Sequence, residues 1–369
     1  MGSLSVRGLT ARYGKTVALH GLDLELADGE FFVILGPSGA GKTTTLKSVA
    51  GLVDGAGGEV HIAGRDMTGV EPYDRGVAMA FESYALYPQK TVEQNLASPL
   101  RSGRNGTWTS AQQSERIRQV TTTLGIDHLL GRYPRELSNG QRQRTALGRV
   151  LVRPAEVYLL DEPLSHLDAK LRAAMRAELK QLGELSGTTT LYVTHDYQEA
   201  LALGDRIGVL REGRLVQVGT PAQVWGEPVD TFVARSLGQP EMNLLDAPVD
   251  PGGVARVAGV AVVVPADAGG AVRVGIRPRD LEAVDGPAPE GRLVLRGRVT
   301  LAERLGRSVE LSVDAAGHPV IAVTADHRVR EGDEVTLSVD WGRVHVFGPG
   351  EPGPRLGSAR EPLMTGRAR

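Results

Sequence analysis

The stretch Gly36-Pro37-Ser38-Gly39-Ala40-Gly41-Lys42-Thr43 decides the fold of this chain. It matches the full pattern G-x-x-x-x-G-K-[ST], in which successive backbone N–H groups of a Gly-rich turn surround phosphate oxygens. An apolar run at residues 31–35 precedes it, and a helix-like segment at residues 44–49 follows. This strand–loop–helix context argues against a Gly-rich turn that matches by chance. The sequence therefore predicts an α/β fold with a phosphate-binding loop.

Each residue type in the loop has a chemical reason. Glycines let the backbone turn its N–H groups inward, and the helix that follows offers its first N–H groups to the anion. Lys42 supplies a positive charge for the β- and γ-phosphates of a nucleoside triphosphate. The hydroxyl of Thr43 can ligate Mg²⁺.

A second cluster indicates a nucleotide hydrolase. Residues 157–162 form an apolar run that ends in the carboxylates Asp161 and Glu162. In a parallel sheet the carboxyl end of such a strand lies beside the phosphate loop. Asp161 is then a candidate ligand for Mg²⁺, and Glu162 a candidate base for the attacking water. A solvated turn is the alternative for adjacent acids, and the phosphate loop favours the catalytic interpretation.

Composition excludes several classes of protein. The chain has 369 residues, a formal net charge of −2 and no cysteine. Disulfide frameworks and thiolate metal sites are therefore excluded, and no global positive field favours nucleic acid or anionic lipid. No apolar run approaches the length of about 20 residues that a membrane helix needs. We expect a soluble protein of two domains that meets a membrane only through a partner.

The stretch Leu137-Ser138-Asn139-Gly140-Gln141-Arg142-Gln143-Arg144 resembles the signature of the ATP-binding cassette (ABC) family, Leu-Ser-Gly-Gly-Gln. A Ser and a Gly at a helix start expose a hydroxyl and unhindered N–H groups to an anion, although an ordinary helix cap is the alternative. In the family this element reaches the γ-phosphate bound on the opposite subunit. Asn139 replaces the first signature Gly. A turn can accept this replacement, because Asn tolerates positive φ.

Other positions follow the order of the family motifs. Residues 165–168 resemble the loop that couples the two ATP sites, and Asp168 also fits as the cap of an amphipathic helix. His195 ends a β-branched run and matches the family's switch histidine, and Tyr13 stands where the family stacks a ring on adenine. The resemblance implies these ATP-binding residues: Tyr13, Gly36, Pro37, Ser38, Gly39, Ala40, Gly41, Lys42, Thr43, Thr44, Ser138, Gly140 and Gln141. It implies Glu162 and His195 as catalytic residues and Thr43, Asp161 and Glu82 as Mg²⁺ ligands.

Glu82 is a departure from the family, which mostly carries glutamine there. A carboxylate of similar length can still ligate Mg²⁺, but it adds negative charge near the γ-phosphate and brings no amide donor. The substitution bears on the hydrolysis rate more than on ATP binding.

The chain divides into predicted domains. Residues 1–237 are predicted to form the ATPase domain, with an antiparallel edge at about 4–30, a helical subdomain at about 88–148 and a helical exit at 221–237. Beyond it, Gly/Pro-punctuated short strands predict a small, OB-like β-barrel domain at 238–347. Residues 348–369 lack periodicity and are predicted to be disordered.

The C-terminal half narrows the resemblance. The segments 242–245, 275–278, 303–306 and 344–347 resemble the ATPase subunits of bacterial carbohydrate importers of the maltose and glycerol-phosphate type. This implies an ATPase, with ATP and Mg²⁺ as cofactors, that powers a binding-protein-dependent importer for a sugar or polyol. It implies a homodimer or heterodimer of ATPase subunits, two membrane-spanning permease subunits, an extracytoplasmic solute-binding protein as an indirect partner, no nucleic acid, and a place at the cytoplasmic face of the bacterial plasma membrane.

Alternatives to this function remain at this point. Importers of iron, sulfate or polyamines carry similar barrels. A nucleotide-binding subunit that clamps but barely hydrolyses ATP is a second alternative, because of Glu82 and Asn139, although Glu162 and His195 argue against it. A DNA-repair or chromosome-organising ATPase would need a long coiled-coil insertion, and the sequence shows none.

Overall fold

The computed structural model of the chain describes residues 2–81, 86–101, 108–165, 167–284, 286 and 289–362, without the side chains of residues 182–186. The chain divides into two units, Met1–Pro221 and Ala222–Arg369. Each unit has a hydrophobic core of its own. The α/β architecture with a second, all-β part confirms the predicted fold class.

The strands of the first unit form two sheets. They are β1 Leu4–Tyr13, β2 Thr16–Leu26, β3 Phe31–Leu35, β4 Gly57–Ile62, β5 Arg65–Asp66, β6 Val77–Ala80, β7 Val157–Asp161, β8 Thr189–Thr194, β9 Arg206–Arg211 and β10 Arg214–Gly219. An antiparallel sheet has the order β2-β1-β4-β5, which confirms the predicted antiparallel edge. The larger sheet has the order β10-β9-β3-β8-β7-β6, with all neighbours parallel except the β10–β9 pair.

The central strands of the larger sheet are covered on both faces. Every residue of β3, β7 and β8 is buried, as expected of a parallel sheet between layers. Apolar side chains of β1, β2, β3, β7 and β8 join Leu46 and Val49 of the following helix in one core. This core fixes the position of the loop between β3 and that helix.

The helices of the first unit are α1 Lys42–Val49, α2 Val92–Arg101, α3 Ser110–Thr123, α4 Asn139–Leu151, α5 Ala169–Ser186 and α6 Tyr197–Leu203. The predicted helix near 110–124 is confirmed by α3, which begins at a capping box between Thr109 and Gln112. The predicted cap of α5 is also confirmed, since the Asp168 carboxylate accepts a hydrogen bond of 2.9 Å from the Leu171 N–H. None of the helices in the described part of the chain has the length and apolar character that crossing a membrane requires.

The second unit is an antiparallel β structure that follows two short helices. Its elements are α7 Pro221–Gly226, α8 Thr231–Ser236, β11 Asn243–Pro248, β12 Val254–Val257, β13 Val260–Val263, β14 Ala271–Ile276, β15 Glu282–Ala283, β16 Arg292–Leu305, β17 Ser308–Ala315, β18 His318–Thr324, β19 Glu334–Asp340, β20 Val344–Phe347 and β21 Arg355–Ser358. They form sheets β11-β14-β20-β21, β12-β13 and β15-β19-β16-β17-β18. One core of alternating inward residues lies between the sheets.

The division between the units lies at Pro221, not at the predicted residue 237. The predicted helical exit from the ATPase domain is present, as α7 and α8, but it belongs to the second unit. Arg277 explains this, because its buried guanidinium stacks 3.8 Å from the centre of the Trp225 ring and donates to the carbonyl oxygens of Trp225 and Leu237. One buried cation thus holds both short helices against the β structure.

The predicted disorder of residues 348–369 is wrong for the first part of that segment. Strand β21 pairs antiparallel with β20, and Ala359 is buried in the core of the second unit. The carbonyl of Gly353 accepts a hydrogen bond of 2.9 Å from the Thr231 N–H. The Gly- and Pro-rich composition therefore reflects tight turns around a strand, and residues 363–369 lie outside the described part.

The buried histidine of β20 predicts a pH dependence of stability. His345 is 5% exposed, and its Nδ1 atom has no hydrogen-bond partner in the described part of the chain. Burial, with the charges of Arg277 and Arg355, lowers the pKa of His345 to about 4. Because the unfolded chain takes up this proton near its ordinary pKa of about 6.5, stability is lost as pH falls from about 6.5 to about 4, by up to about 3 kcal/mol.

The variant His345→Gln should lack this component. Urea unfolding of the full chain at pH 7, 5.5 and 4 measures it, in a Trp108→Phe background that leaves Trp225 and Trp341 of the second unit as the fluorescent reporters. The carboxylates that titrate in the same range are common to both proteins and cancel in the difference. A difference in unfolding free energy between wild type and variant that stays constant over this pH range would contradict the prediction.

Candidate nucleotide-binding site

The candidate site lies where three adjacent parallel strands end. Gly36, Glu162 and His195 are the first residues after β3, β7 and β8, which are neighbours in the sheet. Gly36 N–H donates to the Thr194 carbonyl at 3.3 Å, and Glu162 N–H donates to the Val193 carbonyl at 3.0 Å. The loops after these strands are therefore tied together at one edge of the sheet, where ligands of open α/β sheets bind.

The phosphate loop needs glycine at two positions for different reasons. Gly41 has φ of 106° and caps α1, a conformation that residues with a Cβ rarely adopt. Gly36 lies so close to the next strand that an added Cβ would come 2.6 Å from the Leu210 carbonyl oxygen. Pro37, Ser38 and Gly39 are exposed at the tip, and Ala40 is buried beneath them.

Lys42 is the buried cation of the site. It is 5% exposed, and its ammonium donates to the carbonyls of Gly36 and Pro37 at 2.9 and 3.0 Å. Its Nζ atom also lies 3.2 Å from Oε1 of Glu162. The loop thus holds a positive charge at its centre, next to the proposed base.

Thr43 and Asp161 face one another across the start of α1 and the end of β7. The Thr43 hydroxyl donates a hydrogen bond of 2.9 Å to Oδ1 of Asp161, and Asp161 is 3% exposed. The two predicted metal ligands are therefore adjacent. Oxygen atoms of this kind suit Mg²⁺, which typically takes only one or two protein ligands beside phosphates and water.

Glu162 connects the phosphate loop to His195. One carboxylate oxygen lies near Lys42, and the other lies 2.6 Å from Nδ1 of His195. Glu162 has φ of 44°, in the left-handed region that non-glycine residues seldom occupy. Such local strain persists only where surrounding contacts enforce it, and it is concentrated at functional sites.

A buried network beneath His195 was not predicted from the sequence. The carboxylate of Glu199, which is 2% exposed, accepts hydrogen bonds of 2.7 Å from the hydroxyls of Tyr192 and Thr194. Burial raises the pKa of Glu199, while these two hydrogen bonds lower it. Asp196 caps α6 and forms an ion pair of 3.0 Å with Arg172 of α5. His195 therefore stands between two fixed residues, Thr194 and Asp196.

The signature residues lie at the start of α4. Ser138 caps this helix and accepts from the Gln141 N–H at 3.3 Å, while Oε1 of Gln141 accepts from the Ser138 N–H at 2.9 Å. The helix cap that the sequence left as an alternative is thus present. Gly140 faces α5, since an added Cβ would meet the Leu171 side chain at 2.9 Å. Their role toward a partner's nucleotide stays a prediction.

The remaining predicted site residues are placed as follows. Tyr13 ends β1 and is 51% exposed, so its ring is available for stacking, and Thr44 lies in the first turn of α1. Glu82 lies outside the described residues. The structure thus brings together Lys42, Thr43, Asp161, Glu162 and His195, and it places the signature residues and Tyr13 on separate elements.

Family models match both units. The model described as ABC transporter matches residues 19–165, and the model of the TOBE domain matches residues 289–346. Among solved structures, the dimeric ABC transporter cassette MJ0796 is 28% identical to this chain, with a TM-score of 0.54. The match covers 59% of this chain and 98% of the MJ0796 chain.

Curated relatives extend the likeness over nearly the whole chain. The sn-glycerol-3-phosphate import ATP-binding protein UgpC 1 of Rhizobium johnstonii is 42% identical over 94% of this chain and 94% of the relative. The trehalose/maltose import ATP-binding protein MalK of Thermococcus litoralis is 43% identical over 91% and 94%. The xylose/arabinose import ATP-binding protein XacJ of Haloferax volcanii is 41% identical over 94% of each chain.

The strand-end site and these likenesses define an ATPase of the ATP-binding cassette class. Within that class, the chain belongs to the family of ATP-binding subunits of ABC importers, and it matches the TOBE domain model after the cassette.

Proposed function

We propose that this chain powers the import of a sugar or polyol. The relatives of about 42% identity are named for sn-glycerol-3-phosphate, trehalose/maltose and xylose/arabinose import, and all five solutes are sugars or polyol derivatives. The observation that carries the ATPase part of the proposal is the position of Glu162 between Lys42 and His195. This contact set supports an active hydrolase over a subunit that only clamps ATP.

In the proposed mechanism, the phosphate loop and Lys42 hold the β- and γ-phosphates of ATP, with Tyr13 available for the adenine ring. Glu162 accepts a proton from the water that attacks the γ-phosphorus, and the water oxygen forms the new bond as the bond to the ADP oxygen breaks. In this proposal His195 contacts the γ-phosphate and keeps the Glu162 carboxylate oriented through its contact of 2.6 Å with that carboxylate. General-base assistance of this kind contributes about 10²–10⁴-fold to a rate.

Mg²⁺ fits the residues at the end of β7. The Thr43 hydroxyl and Asp161 carboxylate supply two adjacent hard oxygen donors, with Glu82 as a third proposed ligand. The ion would neutralise charge on the β- and γ-phosphates.

Two copies, or this chain and a second ATPase subunit, are proposed to close around ATP. Ser138, Gly140 and Gln141 of one copy would then complete the site of the other. Closure would act on two membrane-spanning permease subunits at the cytoplasmic face of the membrane, while an extracytoplasmic binding protein delivers the solute. The gain in affinity of the closed state for ATP supplies the coupling.

Solute uptake tests the proposal. We expect deletion of the gene to abolish uptake of one labelled solute among sn-glycerol-3-phosphate, maltose, trehalose, xylose and arabinose. Complementation with the wild-type gene should restore that uptake, and complementation with Glu162→Gln should not. Loss of sulfate, iron or polyamine uptake with all five sugars and polyols unaffected would contradict the proposed solute class.

A further inference from the structure

One buried side chain links the start of α4 to the turn that carries Glu162. Gln143 is 5% exposed, and its side-chain amide donates a hydrogen bond to the carbonyl of Pro163, the residue after Glu162. Gln143 lies in the first turns of α4, two residues after Gln141.

The turn around Glu162 depends on contacts from outside it. Glu162 has a left-handed φ of 44°. Within the turn, the N–H and hydroxyl of Ser165 both donate to the Glu162 carbonyl, at 3.2 and 3.0 Å. From outside, β8 holds the Glu162 N–H through the Val193 carbonyl, and α4 holds the Pro163 carbonyl through Gln143. The peptide units before Glu162 and after Pro163 are thus held from outside the turn.

Stability of the fold alone does not explain a glutamine at position 143. Its Oε1 atom is buried and has no hydrogen-bond partner in the described part of the chain. A buried acceptor without a partner destabilises a fold, and an apolar side chain of the same size would avoid that cost. What an apolar side chain could not supply is the N–H donor of the Gln143 amide, which binds the Pro163 carbonyl next to Glu162.

We propose that Gln143 is a positioning residue for hydrolysis. It fixes the strained turn so that the Glu162 carboxylate stays between Lys42 and His195. Because Gln143 sits on the same helix as Ser138 and Gln141, a displacement of the start of α4 moves the Pro163 carbonyl and with it the base. This inference rests on the proposed role of Glu162.

The test is steady-state hydrolysis by the full chain carrying Gln143→Met, which keeps the side-chain length and removes the donor. We expect kcat to fall about tenfold, since small misplacements of a reacting group cost factors of this order or more. The KM for ATP should stay within about twofold, because the phosphate contacts are untouched. Gln143→Leu is the second variant, should the first fold poorly by circular dichroism.

Thr145→Val is the matched control. Thr145 is fully buried on the same helix, and its hydroxyl donates within the helix, to the Gln141 carbonyl at 2.8 Å. We expect this control to keep its kcat within about twofold of the wild type, as the base is untouched. An equal fall in kcat for Thr145→Val would assign the effect to a loosened helix and overturn the proposal.

Glu162→Gln, assayed in parallel, distinguishes failure of the positioning role of Gln143 from failure of Glu162 as the base. If Glu162→Gln is inactive and both Gln143 variants retain full kcat, the positioning role is wrong and the base is not. If Glu162→Gln keeps near-wild-type activity, the proposed base itself is wrong.

Combining Gln143→Met with Glu162→Gln gives a further readout. ATP-driven dimerisation, measured by sedimentation, should persist in the double variant, because Gln143 affects the position of the Glu162 carboxylate and not ATP binding. Loss of dimerisation in the double variant alone would contradict this.

Discussion

Replacing Glu162 with Gln should lower kcat for ATP hydrolysis by about 10²–10³-fold and leave ATP binding nearly unchanged. The amide keeps the size of the side chain and an oxygen for Lys42, at 3.2 Å in the wild type. It cannot take the proton from water. Hydrolysis therefore stops before the closed state is released, and the variant should accumulate as a dimer in ATP, as sedimentation velocity with and without ATP measures.

Glu115→Gln is the control for this variant. Glu115 is an exposed α3 residue whose carboxylate pairs with Arg118 on the same helix. The substitution Glu115→Gln removes one negative charge at a position outside the nucleotide site, so turnover and sedimentation should match the wild type. A purely monomeric Glu162→Gln protein at saturating ATP would count strongly against the closing dimer, and near-wild-type hydrolysis would exclude Glu162 as the base.

The chemistry of the site could be predicted from sequence because it lies on short motifs at strand ends. Once β3, β7 and β8 are parallel neighbours, the residues that follow them must meet, and the structure places Gly36, Glu162 and His195 together. The cap of α5 at Asp168 was predictable for a related reason, since a helix cap depends on residues within one turn.

Contacts between distant segments could not be predicted in this way. The bond from Gln143 to Pro163 spans 20 residues, and the stack of Arg277 on Trp225 spans 52. Nothing in a single sequence marks which arginine will be buried under an indole ring. For this reason the predicted domain boundary fell at 237, after two helices that Arg277 assigns to the second unit.

The strand β21 shows a different limit. Residues 348–354 are rich in Gly and Pro, which is typical of disordered segments. The same residues are also needed for tight turns, and here they bring residues 355–358 back to pair with β20. Composition cannot distinguish these cases, because the deciding pairing is with a distant strand.

Replacing Lys42 with Ala should weaken ATP binding by about 100-fold, in contrast to the change at Glu162. Hydrogen bonds to charged groups contribute about 1.5–3 kcal/mol each, and the Lys42 ammonium is 5% exposed, so water cannot substitute for it. The variant also leaves the Glu162 carboxylate without its cation, which adds repulsion toward the γ-phosphate. Titration with a fluorescent ATP analogue measures the affinity, and hydrolysis should be lost with it.

Lys47→Ala is the matched control, because Lys47 lies in the last turn of the same helix α1, away from the loop. The Lys47→Ala variant should bind ATP as the wild type does.

Lys42→Arg tests whether positive charge alone is enough for ATP binding. Gly36 and Pro37 carbonyls lie 2.9 and 3.0 Å from the Lys42 ammonium, and a planar, longer guanidinium cannot occupy that compact position. If Lys42→Arg bound ATP normally, positive charge alone would suffice. If Lys42→Ala also bound ATP normally, the loop backbone alone would account for the affinity, and the role assigned to the buried ammonium would be wrong.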